Sequence, residues 1–217
     1  MAKLLRVSIC ALDIRHTTPR SAFNLDDNLR AARQLLSRAA DQGADLAVLP
    51  EVCAVQNHAC SPDAAETLDG PVLSALADAA RSLSIGVAAG HITLENDRRY
   101  NSLLLFNRSG RLIADYHKMF PTIWELEKGI SPGTGPLVLD TPFGRLGFAL
   151  CYDLNFAELR LAYRDLHPEL ILFASAFRGG LQTNSWAYET RSYFLSSVID
   201  PKSVIVNPLG RTIADTG

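Results

Sequence analysis

The sequence predicts an α/β protein of four layers, α-β-β-α, in which two mixed β-sheets pack face to face beneath outer helices. Three observations lead there. Apolar strand-like runs alternate with amphipathic helical runs along most of the chain. Two hairpins interrupt that alternation, one at Ser109-Gly110 and one across Thr141-Pro142-Phe143-Gly144, so the sheets are mixed and not purely parallel. The 217 residues are 47% hydrophobic and 20% charged, which suits one domain spanning 1–217 around a large core.

Each element follows from local pattern. Residues 4–12 form an apolar strand. Asn24 caps a helix whose apolar positions Leu25, Leu29, Ala32, Leu36 and Ala39 recur every three or four residues, with Asp26 and Asp27 in its first turn. Gly43 ends that helix, and residues 46–49 form a short buried strand stopped by Pro50. Pro71 starts a second helix that runs to about residue 83, followed by a strand over 85–93. Residues 101–107 and 111–116 make the first hairpin, and 137–140 with 145–150 the second. Between them, 117–135 is a long loop carrying Trp124, prolines and several charges; loops this long in a compact domain are functional or disordered. The remainder reads as a helix over 156–163, a strand over 170–174, a helix around Trp186 and strands over 195–199, 203–206 and 211–214.

Several function classes are disfavoured. A net charge of −2 gives no electrostatic footprint for nucleic acid or anionic lipid. No apolar run reaches the roughly 18 residues that cross a bilayer, and the first residues lack a secretion pattern, so the expected location is the cytoplasm. No GxGxxG follows the first strand and no P-loop occurs. Cys10, Cys53, Cys60 and Cys151 include no C-x-x-C pair and no zinc spacing, and free buried thiols are expected.

Three polar residues stand where apolar strands stop. Glu51 follows Leu46-Ala47-Val48-Leu49-Pro50, Lys118 follows Leu112-Ile113-Ala114-Asp115-Tyr116-His117, and Cys151 follows Leu146-Gly147-Phe148-Ala149-Leu150. Carboxyl ends of strands are where α/β folds present reactive groups. Taken singly, each residue has an ordinary reading: a helix cap, a solvated lysine, a core thiol. The conjunction carries the argument.

Leu49-Pro50-Glu51, Tyr116-His117-Lys118 and Gly147-Phe148-Ala149-Leu150-Cys151-Tyr152-Asp153 resemble, in order and context, the three signature segments of the nitrilase superfamily of carbon–nitrogen hydrolases. Tyr100-Asn101-Ser102, Ser131-Pro132-Gly133 and Asn207-Pro208-Leu209-Gly210 resemble its recurrent turns and strands. The resemblance implies a catalytic triad of Glu51, Lys118 and Cys151. Glu51 would take the thiol proton, Lys118 would supply positive charge, and the N–H of Tyr152 would help bind the oxyanion. A thioester acyl-enzyme follows, with no metal or organic cofactor. A further carboxylate is implied in the loop between the Lys and Cys segments. Glu127 matches that position best, with Glu125 as competitor, because a buried lysine needs carboxylates around it.

Tyr152-Asp153 after the nucleophile resembles the amidase and carbamoylase branches more than true nitrilases. The expected substrate is therefore a small-molecule amide or carbamoyl compound, and the resemblance implies a homo-oligomer. Phe120, Trp124, Phe156 and Phe177 are candidates to line the pocket. Asp153 and Glu158 read as first-turn carboxylates of the next helix, able to pair with Arg160 or Arg164. His91 and His117 have nothing that places them near Cys151, and His117 should face away from Lys118. Two departures stand out: Asn155 and Ala157 replace the Arg and Pro usual in the family, and the link from 199 to 203 is abrupt. The chain is expected to be shortened at its C-terminal end. Two alternative readings therefore stand beside the hydrolase: a non-catalytic subunit-like protein of the same fold, and an N-acyltransferase.

Overall fold

The structure, a computed structural model, describes residues 4–11, 25–54, 64–199 and 202–216. The cap expected at Asn24, Cys60 and the 200–201 link lie outside them. Eleven strands form two sheets among the described residues. In the first, β1 (Val7–Ile9), β2 (Leu46–Val48) and β3 (Gly86–Glu95) run parallel, while β4 (Arg98–Phe106) and β5 (Leu112–His117) add antiparallel in sequence order. The second sheet is ordered β11-β10-β9-β8-β7-β6. It comprises β6 (Val138–Thr141), β7 (Gly144–Leu150), β8 (Leu170–Ser175), β9 (Tyr193–Val198), β10 (Val204–Val206) and β11 (Thr212–Asp215), with only β7, β8 and β9 mutually parallel. The expected pair of mixed sheets is therefore present.

The period-two alternation of each strand separates the layers. Leu46 and Val48 of β2 face the second sheet and meet Leu146, Phe148 and Leu150 of β7, with Leu172 and Ala174 of β8 beside them. Ala47 of β2 and Val87 and Ala89 of β3 point outward, against α1 (Leu25–Asp41) and α2 (Pro71–Leu83). On the other side Ala149, Ile171 and Phe173 are covered by α4 (Ala157–Leu166) and α5 (Leu181–Thr190), where Leu159, Tyr163 and Trp186 pack. Small residues on β2 and β3 let the outer helices sit close. Large ones on β7 and β8 fill the space between sheets, each contributing about 2 kcal/mol of burial.

Two turns depart from expectation. The strand expected to end at residue 93 continues to Glu95 and turns back through Asn96 and Asp97, both at positive φ (48° and 61°). That conformation is the two-residue hairpin turn that Asn and Asp tolerate. The loop over 117–135 is held in place. It contains a short helix, α3 (Ile123–Glu127), and is tied back by Gly133 N–H to the Lys118 carbonyl at 2.8 Å and Ser131 N–H to the Arg99 carbonyl at 2.7 Å. A Cβ on Gly133 would lie 2.2 Å from the His117 carbonyl oxygen, so this tie requires glycine. No helix among the described residues is long and apolar enough to cross a membrane.

Candidate active site

Both sheets direct the carboxyl ends of their central strands to one place. Glu51 lies just past β2, Lys118 just past β5, Cys151 at the end of β7 and Ser175-Ala176 at the end of β8. The backbone is strained where two of these chains turn. Val52 has φ 43° and Cys151 φ 44°, left-handed values that cost a β-branched or bulky residue about 1 kcal/mol or more. At Cys151 the strand breaks directly into a 3-10 turn over Cys151–Asn155, which places the half-buried Cys151 beyond the end of β7. Gly90 of β3 lets its neighbour approach, since a Cβ there would sit 2.6 Å from the Glu51 Cα.

Lys118 is 1% exposed and Glu51 4% exposed, so their charges are compensated by contact or not at all. The Lys118 Nζ lies 3.1 Å from Glu51 Oε1 and 2.9 and 2.8 Å from the two oxygens of Glu125. Asn101, on β4, donates from Nδ2 to Glu51 Oε1 and to Glu125 Oε1, each at 2.7 Å. The Ala176 N–H donates to Glu51 Oε2 at 2.9 Å. Burial works against the Lys118 ammonium. Glu51, then Cys151 and Glu125, outweigh it and hold its pKa well above lysine's ordinary range. Burial likewise opposes the Glu125 carboxylate, but Lys118, Thr122 and Asn101 hold its pKa below the usual value.

The carboxylate in contact with Lys118 is thus Glu125. Glu127, expected from the resemblance, points to solvent at the end of α3. The reason is a capping box. The Thr122 hydroxyl accepts from Glu125 N–H at 3.2 Å, and the Glu125 carboxylate accepts from Thr122 N–H at 2.7 Å, which turns residue 125 inward and residue 127 outward.

The Glu51 carboxylate and Ser175 lie close enough to the Cys151 thiol to influence its titration. Burial pushes its pKa up to about 12, and Glu51 adds to that push while Lys118 opposes it. Burial also pushes Cys10 and Cys53 up, to about 11 and about 12. Basicity therefore does not single out Cys151; its neighbours do, because among the described residues only this thiol feels a carboxylate and an ammonium together. Tyr152 is exposed, with its ring edge-on to Phe156 at 5.3 Å.

Asp153 is fully buried and does not act as a first-turn helix acid. The 3-10 turn carries it inward, where it accepts from Tyr116 Oη at 2.8 Å, Phe120 N–H at 2.9 Å and Leu150 N–H at 2.9 Å. It ties the Lys118 loop to the Cys151 turn. Burial outweighs these bonds and raises its pKa to about 6. Arg160 pairs instead with Glu189 and Arg164 with Asp165, while Glu158 is exposed in the first turn of α4.

A cavity of about 360 Å³ opens at Cys151, bordered by Tyr152, Asn155, Phe177, Arg178 and Gln182. Of the four expected aromatic liners, Phe177 borders it. Phe120 and Phe156 stack on each other at 3.8 Å, and Trp124 lies exposed on α3. A larger groove, about 650 Å³, lies at the opposite ends of the parallel strands, around Val7, Gly144, Leu170 and Tyr193, away from every residue of this cluster. His117 faces away from Lys118. It lies 2.9 Å from Glu95 and stacks on Tyr100, and with Asp115 it forms the one group among the described residues with metal-ligand spacing. His91 is buried on β3, and burial lowers its pKa to about 4. Sequence reasoning assigned no role to Asn101, Ser175 or Ala176. The signal for the last two was the polar step after the apolar run of β8.

Comparison with known proteins gives the family and the fold. The profile of the carbon-nitrogen hydrolase family matches residues 6–217. The omega-amidase NIT2 of Homo sapiens is 29% identical over 219 residues, covering 88% of this chain and 79% of that protein. The deaminated glutathione amidase of Dictyostelium discoideum is 26% identical, covering 90% and 80%. Among solved structures, an amidase from Nesterenkonia sp. superposes with a TM-score of 0.81 at 23% identity, covering 98% of this chain and 86% of that one.

Proposed function

The chain belongs to the carbon–nitrogen hydrolase family, in the amidase-like branch of the nitrilase superfamily, and from that premise we propose that it cleaves a small-molecule amide through a Cys151 thioester. The observation that carries the proposal is a thiol at the end of β7 close enough to Glu51 and Lys118 for both to shift its titration, with Glu51 itself bound to Lys118 at 3.1 Å. A Nesterenkonia amidase of the same fold carries the acetamide moiety of fluoroacetamide covalently at its active-site cysteine, which supports the same role for Cys151.

The resting thiol is protonated, because burial raises its pKa to about 12. Attack on the amide carbon is therefore coupled to proton transfer from Sγ to Glu51. The oxyanion is stabilised by the nearby Lys118 charge and by the N–H of Tyr152. All three ammonium hydrogens of Lys118 already point at carboxylate oxygens, so direct donation to the oxyanion exchanges one of its two Glu125 bonds. Glu51 then delivers its proton to the departing amine, and water, activated by the same carboxylate, hydrolyses the thioester. Glu125 acts through Lys118 and keeps it charged. The cavity volume suits a small acyl group, with Phe177 on its wall.

A panel of small primary amides, with ammonia release and intact mass as readouts, tests the proposal. We expect a mass increase equal to the acyl group for at least one substrate, and its disappearance in Cys151→Ala together with all turnover. Persistent ammonia release by Cys151→Ala, or no ammonia and no adduct with any amide, would sink it.

A further inference from the structure

A carboxylate offers about four lone-pair directions, two on each oxygen. For Glu125 all four are taken: Asn101 Nδ2 and Lys118 Nζ reach Oε1, and Lys118 Nζ and Thr122 N–H reach Oε2. For Glu51 three are taken: Asn101 Nδ2 and Lys118 Nζ on Oε1, and Ala176 N–H on Oε2. Among the described residues the fourth direction of Glu51, on Oε2, is open.

From this count we infer that Asn101 is a positioning residue that holds the two buried carboxylates in fixed orientations and closes the last open direction of Glu125, so that the proton leaving Cys151 has a single destination, Glu51 Oε2. In that step the Sγ–H bond breaks, an Oε2–H bond forms, and the electron pair stays on sulfur as it attacks the amide carbon. The inference rests on the proposed roles of Glu51 and Cys151 and adds the reason Glu125, equally close to Lys118, does not compete for the proton. Its last open direction is closed by Asn101.

The residue type fits this task. An amide nitrogen has two hydrogens and no charge, so one Asn101 serves both carboxylates and leaves Lys118 as the sole cation among them. A lysine or arginine there would add a second positive charge, and an aspartate a third carboxylate. The amide orientation is unambiguous, since the reversed group would place an oxygen 2.7 Å from two carboxylate oxygens. The other end of the side chain argues against a packing role. Asn101 Oδ1 is buried with no protein hydrogen-bond partner among the described residues. An apolar side chain of the same shape would avoid that desolvation cost.

Alkylation of Cys151 by iodoacetamide across pH, followed by intact mass, reads the base without needing the natural substrate; Cys151→Ala identifies the labelled thiol. Wild type should show a rate that climbs through an acidic limb. In Asn101→Leu the plateau rate should fall about tenfold to a hundredfold, and the acidic limb should move up by about one pH unit, as carboxylates lose a donor to their charged form. Asn101→Ser, with one hydrogen to give, should lie between. Thermal unfolding should change little. An unmoved limb in Asn101→Leu overturns the inference whatever the rate loss, and if that variant does not fold, an unmoved limb in Asn101→Ser does so. A wild-type profile without an acidic limb overturns the assignment of Glu51 as base, and the role of Asn101 with it.

Discussion

Two buried carboxylate networks lie side by side in this protein, and they titrate in opposite directions. Around Lys118, Glu51 and Glu125 share one ammonium and one amide, and Glu125 is held below the usual carboxylate range. A few residues beyond Cys151, Asp153 accepts three hydrogen bonds, from a phenol and two backbone N–H groups, yet its pKa rises to about 6. Burial raises both; a cation in direct contact separates them. Neutral donors and a more distant Lys118 do not offset burial at Asp153, whereas an ammonium in direct contact does so at Glu125. The first network can therefore hold a reactive anion, and the second serves as a structural tie.

Replacing Lys118 by Met breaks the comparison outright, because it turns the first network into a version of the second with two carboxylates. We expect kcat/KM to fall by about 10²–10³-fold, matching the loss of about 3–4 kcal/mol of transition-state stabilisation. Urea denaturation should show a stability loss of about 3–5 kcal/mol, the usual result of stripping one partner from a buried charge cluster. Activity within tenfold of wild type would refute a charge role for Lys118.

Glu125→Gln and Glu127→Gln, compared as a pair, sharpen the contrast at the next level. The first removes a charge that faces Lys118 and should lower kcat about a hundredfold with KM nearly unchanged. The second alters a solvated side chain and should leave both constants within about twofold of wild type. The opposite ranking would show that the register of α3 is wrong.

The smallest effect concerns Asp153 and is visible only in stability. Its folded pKa, about 6, exceeds the unfolded value of 3.8, so the folded state holds the extra proton between them. The favourable contribution is present below that window and is lost as pH rises through it, by about 3 kcal/mol in full. Asp153→Asn removes the titration. The stability difference, wild type minus variant, should therefore decline from pH 4 to pH 6 in denaturation curves and stay level above. A difference that grows with pH would mean Asp153 is charged throughout.

Much of this was legible in the chain. Glu51, Lys118 and Cys151, which the fold brings to one place, were singled out because each ends an apolar strand inside a segment resembling the family's signatures, and the layer order followed from hairpins set among helical crossovers. The error at Glu127 came from matching loop position, although Thr122 and Glu125 stand in capping-box spacing, which fixes which acid turns inward. Asp153 was misread because residues after a strand end were assigned to a helix that begins only at Ala157, and a 3-10 turn rotates its side chain the other way. Asn101 left no local signal: its partners are 50 and 24 residues distant, and only the folded sheet brings them within reach. The long-range partners of short polar side chains are what periodicity cannot supply.

The hydrogen bond from Ala176 N–H to Glu51 spans 125 residues of chain and joins the first sheet to the second. Closing a loop of that length is entropically costly and late in folding, since nearer contacts form first. Glu51, the proposed base, therefore reaches this orientation only after the two sheets have docked. Until then Cys151 has no oriented acceptor, so an incompletely folded chain lacks the proposed proton relay, although its thiol, freed from burial, ionises more readily. The relay is assembled by the same event that completes the core.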